Sequence, residues 1–285
     1  MAKEVIGMKR PARVAAIHDM SGFGRCSLTV VLPVLGAMGA ECCPLPTAFL
    51  SAQTAFPKSD RAVFLDMTDQ LARTGRHWQE LGTQFDAIYS GFLGSETQIG
   101  LIGEFIQTFR KENTLVLVDP VMGDWGRPYR TYTPDLCRRM GELAEYADVI
   151  TPNLTEAAIL LGEQYDPDPD ETKVRCWLER LSLEGKRSVV ITGVHLQEGR
   201  VGAACLERKD GSVSLPLANH ERGEYSGTGD LFSSVMLGAL LRGDDLHAAT
   251  KLAVDFVRKC AAFTNELGGD KREGVMFERL LQDLM

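Results

Sequence analysis

The chain has 285 residues, 44% hydrophobic and 25% charged, and carries a net charge of −8. This is the profile of a water-soluble globular chain with room for a large core, and it lacks the basic field that nucleic acid or an anionic membrane would require. Seven scattered cysteines with no C-x-x-C pair, two of them adjacent at Cys42 and Cys43, exclude a disulfide framework or a zinc site and point to reduced thiols in a cytoplasmic protein.

Residues 1–12 read as an N-terminal extension without the apolar core of a secretory signal, and no apolar run approaches the roughly 20 residues of a membrane span. A short apolar run at 14–17 predicts a buried strand and is followed by His-Asp-Met-Ser-Gly-Phe-Gly (18–24). A second at 87–89 leads into Ser-Gly-Phe-Leu-Gly-Ser (90–95), and helical periodicity covers 99–110. The run at 115–118 ends in Asp-Pro-Val-Met-Gly-Asp (119–124), and a helix is predicted over 134–146. The run at 149–150 precedes Thr-Pro-Asn-Leu-Thr-Glu (151–156), and helical segments cover 153–161 and 171–183 on either side of a solvated Asp-Pro-Asp-Pro-Asp loop. Strands are predicted at 189–191, ending in Thr192 and Gly193, and at 203–206. Last, Gly227-Thr228-Gly229-Asp230 opens an apolar helix through Leu241. Strand and helix alternate, so the expected fold is α/β: one domain over 1–285, with a mostly parallel sheet between two helical layers.

Ligands of such sheets bind at the carboxyl ends of the strands, where this chain places its glycines and acids. A Gly-x-Gly turn aims backbone N–H groups inward, and the first turn of the next helix adds unpaired N–H groups and a positive dipole end. Together they make an anion cradle with Asp230 in it. Asp230 can equally be a helix cap, and Asp119, Asp124 and Glu156 can cap helices or close turns. If the strand ends converge, those three acids can instead hold Mg²⁺. There is no G-x-x-x-x-G-K-[ST], no G-x-G-x-x-G and no G-x-S-x-G, which excludes P-loop, dinucleotide-binding and α/β-hydrolase chemistry. An acid beside an anion cradle, with further acids for a metal, suits phosphoryl transfer from a nucleotide to a hydroxyl. His18 lies beside the expected pocket. His77, His195, His220 and His247 read as isolated surface or packing residues, and Phe56, Phe64 and Phe85 as packing.

Five motifs, T-A-F-L-S-A-Q-T (47–54), Y-S-G-F-L-G-S (89–95), D-P-V-M-G-D (119–124), I-T-P-N-L-T-E (150–156) and G-T-G-D-L-F (227–232), occur in an order that resembles the ribokinase superfamily. Within it the chain resembles the pyridoxal/pyridoxamine (vitamin B6) kinases. The resemblance implies a ribokinase-like α/β/α sandwich and ATP-dependent phosphorylation of a B6 vitamer with Mg²⁺, and it admits a monovalent cation. It implies Asp230 as general base, with Gly227, Thr228 and Gly229 as the anion hole. Asp119, Asp124 and Glu156 would serve Mg²⁺ and the phosphates. Thr151 and Thr192 would face the phosphates, and Tyr132 would lie on a loop covering ATP. Asp19, Thr47 and Phe92 would hold the vitamer ring. A cytoplasmic homodimer is the implied assembly. The chain departs from the pattern at Asp19, where many pyridoxal kinases carry serine, and at Phe92, where tyrosine is frequent. D-x-S-G at 19–22 is similar to hydroxymethylpyrimidine kinases, which is the alternative reading, although many of those carry G-T-G-C. A non-catalytic vitamer-binding protein is the remaining alternative.

Overall fold

The computed structural model describes residues 10–57, 59–129, 132–221, 223 and 225–285. In chain order the elements are β1 (Arg13–Ser21), α1 (Leu28–Ala37), β2 (Glu41–Leu50), β3 (Phe64–Asp66), α2 (Thr68–Glu80), β4 (Ala87–Ser90), α3 (Glu96–Phe109) and β5 (Leu115–Val118). There follow β6 (Gly123–Asp124), β7 (Arg127–Pro128), α4 (Pro134–Ala144), β8 (Val149–Ile150), α5 (Leu154–Leu161), α6 (Glu171–Leu181), β9 (Ser188–Gln197), β10 (Arg200–Leu206), β11 (Val213–Ser214), β12 (Leu217–Asn219), α7 (Thr228–Arg242) and α8 (Leu246–Leu267).

The main sheet runs β11-β10-β9-β8-β5-β4-β1-β2-β3, with β12 paired to β10. The inner strands from β2 to β9 are mutually parallel, and β3, β10, β11 and β12 add antiparallel edges. Period-2 geometry explains why the inner strands read as continuous apolar runs. Along β1, Ala15 and Ile17 enter one core while Val14 and Ala16 enter the other; along β4, Ile88 and Tyr89 divide the same way. The first core lies under α2 to α6 and the second under α1, α7 and α8. The fold is thus the expected α/β/α sandwich.

After β1 the chain builds outward to β2, then returns to the other side of β1 to start β4. That reversal opens a crevice at the carboxyl ends of β1 and β4. The β1–β2 register also slips there: His18 pairs with Pro46 but Met20 pairs with Phe49, so β2 carries an extra residue near Thr47. Such irregularities re-aim side chains next to functional sites.

Several expectations are corrected. Asp19 continues β1 instead of lying in a loop, and Thr192 lies inside β9, which runs on to Gln197. Phe64 is exposed on edge strand β3, while Phe85 packs in the core as expected. His195 and His220 pack edge to face with ring centroids 5.2 Å apart, and His247 bonds with Ser212 and Ser214, so these three histidines are not isolated. Residues 1–9 of the expected extension lie outside the described residues; Arg10 is tied to Asp86 at 2.7 Å.

Candidate active site

Three backbone segments meet at the crevice: the turn after β1, the G-T-G-D turn and the turn at 270–274. Gly227 caps α7 with φ 74°, in the left-handed region, and a Cβ there would lie 2.0 Å from the Arg25 carbonyl oxygen. Glycine is required both for the conformation and for the approach. Arg25 N–H donates to the Glu273 carbonyl at 2.8 Å, closing the third side. The amides of Thr228, Gly229 and Asp230 open the helix and have no helical carbonyl to bond.

Asp230 stands in that first turn with 14% of its side chain accessible. Its Oδ2 accepts the Ser27 N–H at 2.8 Å. Burial raises the carboxyl to about 7, the nearby Asp19 charge adds to this, and the Ser27 bond opposes it. Desolvation is the largest influence on this carboxyl and disfavours its ionised form. A carboxyl poised near neutrality is well suited to accept a proton.

Oδ1 of Asp230 lies 3.8 Å from Nδ1 of His18. That imidazole is fully buried, packs edge-on to Tyr89 with ring centroids 4.3 Å apart, and is held neutral by a pKa pushed down to about 3 by burial. Gly91 leaves it room, since a Cβ there would lie 2.3 Å from Nδ1. Among the described residues, six buried polar side-chain atoms lack a partner, and five of them belong to His18, Tyr89, Ser90 and Ser234 at the sheet end beneath α7.

Ser27 carries no signal that sequence reasoning used, yet it touches both acids. Its N–H binds Asp230, and its Oγ donates to Asp19 Oδ1 at 2.5 Å. It sits at the N-cap of α1 with φ 48° and ψ −134°, a region strained for a residue with a Cβ, at a cost of about 1–3 kcal/mol. Serine hydroxyls at N-caps usually accept a bond from their own helix; this one makes no capping bond.

On the expected vitamer side, Asp19 is buried, and its two oxygens accept from Ser27 and Ser21 hydroxyls. Burial raises its pKa, and the two serines work against that. Thr47 is fully buried, and its hydroxyl donates to the Phe92 carbonyl at 3.0 Å. It therefore supports the loop bearing Phe92 rather than presenting a free hydroxyl. Gln98, also buried, holds the same loop through the Thr47 carbonyl and the Gly94 N–H. Phe92 is half-buried and faces Tyr132 at 6.0 Å. Tyr132 was expected on a loop over ATP; its ring is buried, and its hydroxyl donates to the Leu93 carbonyl at 3.1 Å.

On the phosphate side, Asp119 directly follows β5 and is buried. Burial lifts it well above the ordinary carboxylate range, with the charges of Glu156 and Asp230 adding. Glu156 is raised to about 8, chiefly by burial. Its Oε2 accepts the Asn153 N–H at 2.9 Å in a capping box, and its Oε1 accepts the Met122 N–H at 3.0 Å. Asp124 is exposed on the β6–β7 hairpin and accepts the Trp125 N–H at 2.8 Å. The three acids thus do not close on one point, and among the described residues no group of three or more His, Cys, Asp or Glu is placed to hold an ion. Capping geometry fixes Glu156 facing Met122, while the hairpin carries Asp124 outward. Thr151 is buried and accepts from Ser233 Oγ at 3.1 Å, and Thr192 N–H donates to the Pro152 carbonyl at 2.9 Å. Asp119 and Glu156 still fit a divalent cation. Both are buried acids raised chiefly by burial, with the Glu156 charge adding to Asp119, and each Glu156 oxygen that accepts one N–H keeps a further lone pair.

Residues 78–275 match the family described as phosphomethylpyrimidine kinase. The chain belongs to that family. A solved structure from Bacteroides thetaiotaomicron, described as a phosphomethylpyrimidine kinase and crystallised with pyridoxal, is 39% identical to this kinase over 96% of both chains, with a TM-score of 0.92. The pyridoxal kinase of Lactobacillus plantarum is 32% identical over 96% of each chain, with a TM-score of 0.87. A pyridoxine/pyridoxal/pyridoxamine kinase of Bordetella avium is 29% identical over 262 residues, covering 88% of this chain and 85% of the relative. The fold of this kinase is the ribokinase-like fold of the pyridoxal kinases.

Proposed function

We propose that this kinase transfers the γ-phosphoryl group of ATP to the 5′-hydroxymethyl group of pyridoxal, pyridoxamine and pyridoxine, in salvage toward pyridoxal 5′-phosphate. The observation that carries the reading is Asp230, a carboxyl near neutrality in the first turn of α7, with one oxygen bonded by Ser27 and the other turned toward the crevice floor. A primary alcohol is a weak nucleophile, and its proton must leave as the bond to phosphorus forms. Asp230 takes that proton. The amides of Gly227, Thr228 and Gly229 stabilise charge on the transferring group, helped by the positive end of α7. Asp119 and Glu156 would hold Mg²⁺ together with phosphate oxygens, and the ion would neutralise phosphate charge. Thr151, Thr192 and Tyr132 belong to the nucleotide side, and Asp124 is an outer acid at its rim. Asp19, Thr47 and Phe92 shape the vitamer side.

A B6 vitamer is supported by the full-length relative crystallised with pyridoxal. Hydroxymethylpyrimidine is the second reading, favoured by the family's description and by D-x-S-G at 19–22. Seven unbridged cysteines support a reducing, cytoplasmic setting, and no helix among the described residues is long and apolar enough to cross a membrane. An apolar strip at Phe49, Val63, Phe64 and Leu65 along the β2–β3 edge supports a homodimer. The test is ADP release with MgATP and each of pyridoxal, pyridoxamine, pyridoxine and hydroxymethylpyrimidine. Turnover confined to the pyrimidine would replace the B6 reading, and vitamer binding without turnover would mark a carrier.

A further inference from the structure

We infer that Ser27 is a positioning residue that clamps Asp230 by anchoring it to Asp19. The inference rests on the reading of Asp230 as the base. Three observations carry it. Among the described residues Ser27 alone bonds both acids, through its N–H to Asp230 Oδ2 and its Oγ to Asp19 Oδ1. Its hydroxyl is turned from its own helix to reach Asp19. Its backbone occupies a strained region that glycine would occupy with ease, at φ 48° and ψ −134°. A serine kept in a glycine conformation must have a use for its side chain, and here that use is the bond to Asp19.

The clamp has a chemical consequence. Fixing Oδ2 with an N–H leaves Oδ1 as the oxygen free to take the substrate proton, and Oδ1 is the one turned toward His18. Asp19 then acts through Ser27. What it supplies is an acceptor for the serine hydroxyl, buried among hydroxyl donors at Ser21 and Ser27. Each Asp19 oxygen thus has a hydroxyl partner of its own.

The test compares Ser27→Gly, Ser27→Ala, Asp19→Ala, Asp19→Asn and the double variant Ser27→Gly/Asp19→Ala in the full-length kinase with MgATP and pyridoxal. Ser27→Gly keeps the N–H and relieves the backbone, so its melting temperature stays level or rises. Its kcat falls by about ten- to a hundredfold, the range for losing a charge-assisted bond, and the KM for ATP stays within about twofold. Ser27→Ala shows the same kinetic loss. Asp19→Asn keeps an acceptor for the Ser27 hydroxyl and loses less of kcat than Asp19→Ala. The double variant is no worse than the worse single one, because both remove one interaction. Wild-type kcat in Ser27→Gly, multiplicative losses in the double variant, or a pyridoxal KM effect equal in Asp19→Asn and Asp19→Ala would overturn the clamp. Asp230→Asn, run in parallel, separates the two levels. If it keeps its rate, the base reading itself fails; if it is inactive while Ser27→Gly is normal, only the clamp fails.

Discussion

Asp230→Asn should gain stability and lose activity, with the two effects tied to the same buried charge. Asparagine resembles the protonated acid in size and neutrality. In the wild type the carboxyl is raised from an ordinary value of 3.8 to about 7, chiefly by burial. The folded state therefore holds the proton more tightly than the unfolded chain. The stabilisation this gives is fully present below about pH 4 and is lost as pH rises to about 7, where the folded carboxyl also ionises. Across that window the wild type loses about 4 kcal/mol relative to a neutral side chain. Denaturant unfolding of both proteins, without metal or nucleotide, should differ by only about 1 kcal/mol near pH 4.5. By pH 8 the variant should be about 3–4 kcal/mol more stable. Steady-state assays at pH 8 with MgATP and pyridoxal should show kcat down by about 10²–10⁴, the usual worth of a general base. Melting and ATP binding confirm an intact fold. A stability gap that does not change with pH would refute the burial argument. A variant keeping more than about a tenth of wild-type kcat would refute the assignment of Asp230 as base.

Gly227→Ala places a Cβ 2.0 Å from the Arg25 carbonyl at φ 74°; thermal unfolding should show a loss of about 2 kcal/mol or more, with kcat reduced, and an unchanged melting temperature would mean the turn can move aside. Glu156→Gln can accept only one of the two N–H bonds from Asn153 and Met122, so it should cost about 1–3 kcal/mol and also raise the Mg²⁺ concentration for half-activity. A Mg²⁺ titration that overlays the wild type would leave Glu156 a cap alone. Gly91→Ala drives a Cβ to 2.3 Å from His18 Nδ1 and should lower both the melting temperature and kcat. Adding His18→Asn, a shorter side chain, should recover part of the melting temperature; no recovery would show that the strain lies elsewhere.

The local chemistry was legible along the chain. Apolar runs such as 115–118 and 189–191 are buried on both faces of a parallel sheet, so hydrophobicity alone marks them as strands. The G-T-G-D turn was legible because a left-handed glycine followed by an apolar helix has few other uses. A capping role was one of the two readings open for Glu156, and the structure contains its capping box with Asn153. Edge elements such as β3 and β12 were not legible, since short, partly exposed strands carry no period that stands out. Only the tertiary structure could decide how the acids are used. Burial, set by what packs around a carboxyl, raises Asp230 toward neutrality, and sequence cannot report solvent exclusion. The fold also committed Thr47 and Tyr132 to backbone carbonyls, and it carried Asp124 outward while burying Asp119 and Glu156. Ser27 lies 203 positions from Asp230 in the chain. No local pattern links them; the bond exists because the reversal at β1 brings the start of α1 against the start of α7.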